Sequence, residues 1–198
     1  MLFRSGLATL GGNYSIAYGI NNNNVIVGVA QTLSGNDMAV MWYDGQIYQL
    51  DTLSGGTWST ARAINDNGQV ILWADTANGN NHACLWQDGN IMDLGTFGGS
   101  DSWAYDINND GYVVGWAEFT DGTYQGFVYD GVEMCSLGTL GGLYSSAYGI
   151  NDLGQIIGIA QTESGQMHAV LWSPIPEPAT IILLAIGTFS IINRRRSV

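Results

Sequence analysis

Three aromatic residues, Tyr14, Trp58 and Tyr144, each stand two positions after a Gly-Gly pair. Rings repeated at one position of a repeated unit can stack on sugar rings at one end of the fold. They also serve plain packing between units, where aromatics bury large areas. Both readings stay open here, packing being the simpler. The two histidines, His82 and His168, share another repeat position and so belong to different units. With two histidines placed apart, no Ser/His/Asp nucleophile set can be assembled. The turns Asn65-Asp66-Asn67-Gly68 and Asn151-Asp152-Leu153-Gly154 faintly resemble calcium loops. They lack the carboxylate density and bidentate Glu of a strong site, and Asn, Asp and Gly favour tight turns for backbone reasons alone. Cys84 and Cys135 lie at non-equivalent positions of different units, so a dedicated disulfide is not implied, although an oxidising compartment permits one. No zinc-type Cys/His spacing is present. The second unit departs from the pattern. Arg62 stands where the others carry Tyr18, Tyr105 and Tyr148, and Leu72 where they carry Gly28, Gly115 and Gly158.

A different chemistry is written at the C-terminus. Pro176-Glu177-Pro178 is followed by the uncharged, Ile- and Leu-rich run 179–192 and then by Arg194-Arg195-Arg196. As a helix this run spans roughly 21 Å at about 1.5 Å per residue, short against a bilayer core of about 30 Å. Pro178 suits the first helical turn, and Pro176 keeps the box ahead of it extended. Three arginines at the far end favour the cytoplasmic side, which places everything before Pro176 outside. In this order the three parts resemble the PEP-CTERM sorting signal. The resemblance implies delivery to the bacterial cell surface through a membrane enzyme of the exosortase type. It further implies transient anchoring in the inner membrane of a Gram-negative-type bacterium with an exopolysaccharide matrix.

Composition agrees with an exported domain. Residues 1–173 hold Arg4 and Arg62 against 16 acidic residues, and the whole chain carries a net charge of −12. That surface repels nucleic acid and anionic lipid. It attracts divalent cations or basic partners, or simply keeps the domain soluble. At the N-terminus, Met1 to Gly6 run straight into repeat sequence, without the charged start and apolar core of a secretory signal. With a surface address at the other end, the expectation is a start further upstream.

The elements that must position these residues follow a period of 43 to 44. Gly-Gly recurs at 11–12, 55–56, 98–99 and 141–142, and Ile-Asn at 20–21, 64–65, 107–108 and 150–151. Trp42, Trp86, Tyr129 and Trp172 close the units. Such a period with Gly and aromatic markers reads as a β-propeller or related solenoid. In the last unit the strands fall at 145–150, 155–160 and 168–172. Asp44-Gly45, Asp88-Gly89 and Asp130-Gly131 signal tight hairpins into a fourth strand such as 91–94. Hairpins throughout make the sheets antiparallel. The chain opens with an isolated fourth strand at 6–10 and ends without one, because Pro174 stops the pattern. Four blades of four strands therefore close if the first strand lies outside the last blade, which removes exposed edges. Part of a longer propeller, or two copies forming one eight-bladed ring, are the alternatives.

Gly-Thr-Leu-Gly-Gly (137 shows Leu before it, Gly138 to Gly142), the stretch 147–155 and His168-Ala169-Val170-Leu171-Trp172 resemble the HAF family of extracellular repeats. The resemblance covers nearly all of 7–172. The family implies further repeats and a signal peptide, and no established enzymatic activity. The expectation is an all-β propeller over 1–173 followed by a sorting signal over 174–198, without cofactor or bound metal. Its expected role is non-enzymatic, as a structural or interaction protein of the extracellular matrix. Its expected partners are the exosortase, the membrane through the helix 179–192, extracellular polysaccharide, and no nucleic acid. Glycan binding through the repeated aromatics is the alternative. A polysaccharide-degrading enzyme ranks third, since it needs paired carboxylates in one cleft that the sequence does not place.

Overall fold

A computed structural model describes residues 5–174. The sorting box Pro176 to Pro178, the run 179–192 and Arg194 to Arg196 lie outside the described residues. Every regular element within them is a strand. The first sheet contains β1 (Gly11–Ile20), β2 (Ile26–Thr32), β3 (Asp37–Tyr43) and β4 (Gln46–Gln49). The second contains β5 (Ser59–Ile64), β6 (Val70–Asp75), β7 (Asn81–Gln87) and β8 (Asn90–Asp93). The third contains β9 (Gly98–Ile107), β10 (Val113–Phe119), β11 (Tyr124–Tyr129) and β12 (Met134–Ser136). The fourth is three-stranded, β13 (Gly141–Ile150), β14 (Ile156–Thr162) and β15 (Met167–Trp172). Each sheet is an antiparallel meander in chain order.

Turn chemistry sets the hairpins. Asp44 and Asp88 take positive φ, followed by Gly45 and Gly89, also at positive φ. This is the backbone of a type I′ hairpin. Asp130-Gly131 departs from the expected tight turn. Asp130 Oδ1 accepts from both Val132 N and Glu133 N at 2.9 Å, so the loop runs from 130 to 133 and β12 is short. The first strands also differ. In the first, third and fourth sheets they reach back to Gly-Gly, where Gln31, Glu118 and Gln161 accept from the backbone of Asn13, Ser100 and Leu143. Asp75 holds that place in the second sheet. Its shorter side chain takes both Thr57 N and Trp58 N at 2.7 Å, and β5 starts only at Ser59.

Apolar packing joins each sheet to the next. Val27 and Ala39 pack against Ala61, Val70 and Leu72 between the first and second sheets. Ile71 and Ala83 pack against Ala104, Val113 and Phe127 between the second and third. Val114 meets Ala147 and Ile156 between the third and fourth. A buried serine crosses each junction. Ala39 N donates to Ser59 Oγ, Ala83 N to Ser102 Oγ and Gly126 N to Ser145 Oγ, at 2.9 to 3.0 Å.

The N-terminal segment 6–10 does not form the expected fourth strand. Among its residues Leu10 makes a single bridge, to Thr32. Leu7 and Leu10 pack instead on Ala30, Val40 and Trp42 of the first sheet, and Trp42 Nε1 donates to Ala8 O at 2.9 Å. The reason lies in the repeat. Trp172 bonds Leu137 O, one residue earlier in the repeat than Ala8, so 7–10 corresponds to the segment that leads into a sheet and is held by that sheet's own tryptophan.

Candidate ligand-binding surface

The Ile-Asn repeat forms the hub. Each turn is tied by its own asparagine: Asn65 Oδ1 accepts from Asn67 N and Gln69 N at 3.1 and 3.0 Å, and Asn151 Oδ1 from Leu153 N and Gln155 N at 3.0 Å. The side-chain amide reaches across to the following sheet. Asn21 Nδ2 donates to Asn65 O, Asn65 Nδ2 to Asn108 O and Asn108 Nδ2 to Asn151 O, at 3.1, 2.9 and 3.2 Å. A second rung pairs backbone with side chain: Asn22 N with Asp66 Oδ1, Asp66 N with Asn109 Oδ1 and Asn109 N with Asp152 Oδ1. The bonds from Asn22 hold the Asp66 carboxyl below its ordinary range. Residues 20–22, 64–66, 107–109 and 150–152 thereby surround one polar depression of about 340 Å³. The oxygens that a calcium ion would need are largely engaged in the turns and the ladder. Among the described residues no group of three or more His, Cys, Asp or Glu is placed to hold a metal.

A belt of aromatic rings crosses the sheets. Trp73 on β6 meets Trp103 on β9 edge-on, with ring centres 4.4 Å apart. Trp103 stacks toward Trp116 on β10 at 6.3 Å, Trp116 toward Tyr124 on β11 at 5.0 Å, and Tyr124 toward Tyr144 on β13 at 4.8 Å. Tyr105 bridges Trp73 and Tyr148. Arg62, the departure of the second unit, extends the belt to the first sheet. Its guanidinium lies 4.3 Å from the Tyr18 ring centre and 4.4 Å from that of Trp73, a cation–π arrangement on both sides. Two donors fix the indoles: Trp73 Nε1 bonds Ala104 O at 2.5 Å and Trp116 Nε1 bonds the Tyr105 hydroxyl at 3.1 Å.

The aromatics singled out from the sequence do not gather as a trio. Among the described residues no ring contact joins Tyr14, Trp58 and Tyr144 to one another. Tyr14 bonds through its hydroxyl to Asp37 of its own sheet, Trp58 N is held by Asp75, and Tyr144 ends the belt. The residues that the repeat comparison missed are Trp73, Trp103, Trp116 and Tyr124. Trp73 and Trp116 share one repeat position, where the outer units carry Val29 and Ile159, while Trp103 and Tyr124 each stand alone at theirs. Their signal is aromatic density confined to the second and third units.

The histidines stay apart, one on β7 and one on β15. His82 Nδ1 lies 2.8 Å from Asp93 Oδ2, and this bond raises its pKa despite partial burial. Burial works to raise Asp93, but the bonds from His82 and Gly95 N hold it below the usual carboxylate range. Cys84 is buried and Cys135 exposed, and both are free. Burial pushes the Cys84 thiol far above its ordinary pKa, the opposite of what a nucleophile needs. Burial also raises Asp106, whose carboxylate caps Ile107 N and Ile150 N.

Immediately after the last strand the character of the chain changes. Residues 174–197 match the family model of the PEP-CTERM protein-sorting motif. The chain therefore carries a C-terminal sorting motif, which implies export, sorting to the cell surface and processing by an exosortase. No curated protein matches the sequence. Among solved structures, TolB from Acinetobacter baumannii overlays with a TM-score of 0.49 at 14% identity, covering 77% of this chain and 42% of TolB. The chain spans less than half the length of that structure. Among the described residues no helix is long and apolar enough to cross a membrane.

Proposed function

We propose that this is an exported, surface-sorted propeller-type protein that acts as a non-enzymatic structural or interaction component of the bacterial extracellular matrix. The observation that carries this reading is the sorting motif, which begins two residues after Trp172, the end of β15. The sheets then lie against the outer side of the inner membrane until an exosortase cuts the tail. The apolar run 179–192 is the transient anchor and Arg194 to Arg196 its cytoplasmic stop. The HAF resemblance supports an extracellular setting, and the acidic surface supports solubility there rather than a nucleic-acid partner. The test is a deletion strain: matrix cohesion and matrix protein content fall without the protein and return with the intact gene. Unchanged matrix in the deletion strain refutes the role.

The aromatic belt favours a second reading, binding of an extracellular polysaccharide. Rings in series across several strands offer stacking faces at successive sugar positions, and Arg62 adds a cation for acidic sugars. Affinity electrophoresis in gels containing the producer's own polysaccharide separates the readings. Retardation that disappears in Trp103→Ala supports the lectin, and equal mobility of both proteins removes it.

A further inference from the structure

The three sheet junctions share one pattern, and both ends of the array present half of it uncovered. On the forward face, Val27, Ile71 and Val114 are fully buried by the following sheet. Their equivalent in the fourth sheet, Ile157, is 57% exposed, and Leu171 beside it 61%. On the backward face, Ala61, Ala104 and Ala147 are fully buried by the preceding sheet. Their equivalent, Ala17, is exposed. Ile20 is 64% exposed where Ile64 and Ile107 are 8% and 6%.

The polar ladder is likewise open at both ends. Asn151 Nδ2 bonds Gln155 Oε1, as Asn65 Nδ2 bonds Gln69 Oε1, but without the second bond that carries Asn65 Nδ2 across to the next sheet. Ser15, the counterpart of the three junction serines, donates back to Leu7 O as Ser102 and Ser145 do to Gly95 O and Gly138 O, but among the described residues no N–H of another sheet donates to it. None of the four apolar clusters joins the first sheet to the fourth.

We propose that these two faces dock on each other between two copies of the chain, head to tail, giving one ring of eight sheets. The partner is identified by complementarity already present three times. The fourth sheet offers what every sheet offers its successor, and the first sheet accepts what every sheet accepts from its predecessor. In the docked pair Asn151 Nδ2 donates to the backbone oxygen of Asn21 in the second copy, as Asn108 does to Asn151. Asp152 N meets the side-chain oxygen of Asn22, as Asp66 N meets Asn109. Leu7 and Leu10 already cover the outer part of the first sheet's backward face, as Leu137 does at the third junction. What remains open is therefore the inner strip around Ala17 and Ile20. A face meeting a different face makes a heterologous contact, which gives a ring where the rotation closes. The sheets already fan about one axis, since all four Ile-Asn turns line one depression. Eight blades fall within the usual range of propellers.

Native mass spectrometry of the full chain, released from detergent, tests this. The expected species has twice the 21.2 kDa mass of the chain. Ile20→Glu and Ile157→Glu each change a residue exposed in the single chain, so each folds with an unchanged circular dichroism spectrum and runs as one chain. Mixing the two variants restores a two-chain species, because the intact fourth sheet of one meets the intact first sheet of the other. A wild-type protein of single-chain mass overturns the proposal. So does a two-chain species that survives both variants, which the tail or another surface must hold. Loss on Ile157→Glu but not on Ile20→Glu overturns it too, since like faces then meet.

Discussion

Replacing Asn65 by Ala tests the asparagine ladder as the principal polar tie between sheets. Asn65 is 4% exposed. Its side chain makes three bonds to backbone: Nδ2 to Asn108 O, and Oδ1 from Asn67 N and Gln69 N. A typical net hydrogen bond contributes about 1 kcal/mol, and a buried partner left unsatisfied costs somewhat more. The expected loss is about 3 to 4 kcal/mol. In the Ile157→Glu background, which keeps the chain single, Asn151→Ala removes the same turn bonds at an exposed site with no following carbonyl, where water replaces the lost partners. Its expected cost is about 1 kcal/mol. Asn65→Asp separates the two roles. It keeps both acceptor bonds and sets a carboxylate against Asn108 O, for an intermediate loss of about 2 kcal/mol. Equilibrium urea unfolding at constant m-value measures all three. Equal losses at Asn65 and Asn151, or a loss under about 1 kcal/mol at Asn65, refute the reasoning.

Gly115→Ala places a Cβ 1.9 Å from Trp103 O, so β9 and β10 must separate. A loss of about 3 kcal/mol is expected from such overpacking, read from the same urea curves, and a neutral result contradicts the close approach. The His82–Asp93 pair makes stability fall with rising pH. The folded pKa of His82 is raised, so its contribution is complete below the unfolded value of about 6.5 and is lost as pH rises through the folded value. Melting temperatures measured across that window should decline in the wild type and flatten in His82→Gln, and identical slopes refute the pair's role. Changing Pro176 and Pro178 together to Ala should leave the sheets folded but the tail uncut, seen as a larger band in the membrane fraction. A normally trimmed product shows that the box is not read.

The repeat made the sheets legible because hydrophobic alternation, Asp-Gly turns and Ile-Asn turns recur at one spacing and local chemistry decides each of them. Strand ends were less legible. Whether a first strand reaches back to Gly-Gly depends on one side chain two strands' length away in sequence, Gln31, Asp75, Glu118 or Gln161. Asp130-Gly131 misled for a similar reason, since its carboxylate satisfies the backbone of a wider loop. Segment 6–10 reads as a lone fourth strand, yet its counterpart in the last unit is 136–140, which after Ser136 is the lead-in to β13 and not part of β12. The aromatic site was the least legible part. Comparison of equivalent positions points to Tyr14, Trp58 and Tyr144, whereas the belt takes only Tyr144 from that set and joins it to the equivalent pair Trp73 and Trp116 and to Trp103 and Tyr124, on five strands of three neighbouring sheets. Arg62 was visible as a departure, but its place between Tyr18 and Trp73 depends on how two sheets splay.

The account rests on the tail as an address for the sheets. Its most direct measurement is C-terminal peptide mapping of the protein, tagged within its own chromosomal locus, in producing cells with and without the exosortase. With the enzyme present, the protein should reach the outer surface lacking the segment that follows the Pro-Glu-Pro box. Without the enzyme, the full tail should remain and hold the protein in the membrane. The same C-terminus in both strains, or an intact chain retained inside cells that have the enzyme, contradicts it.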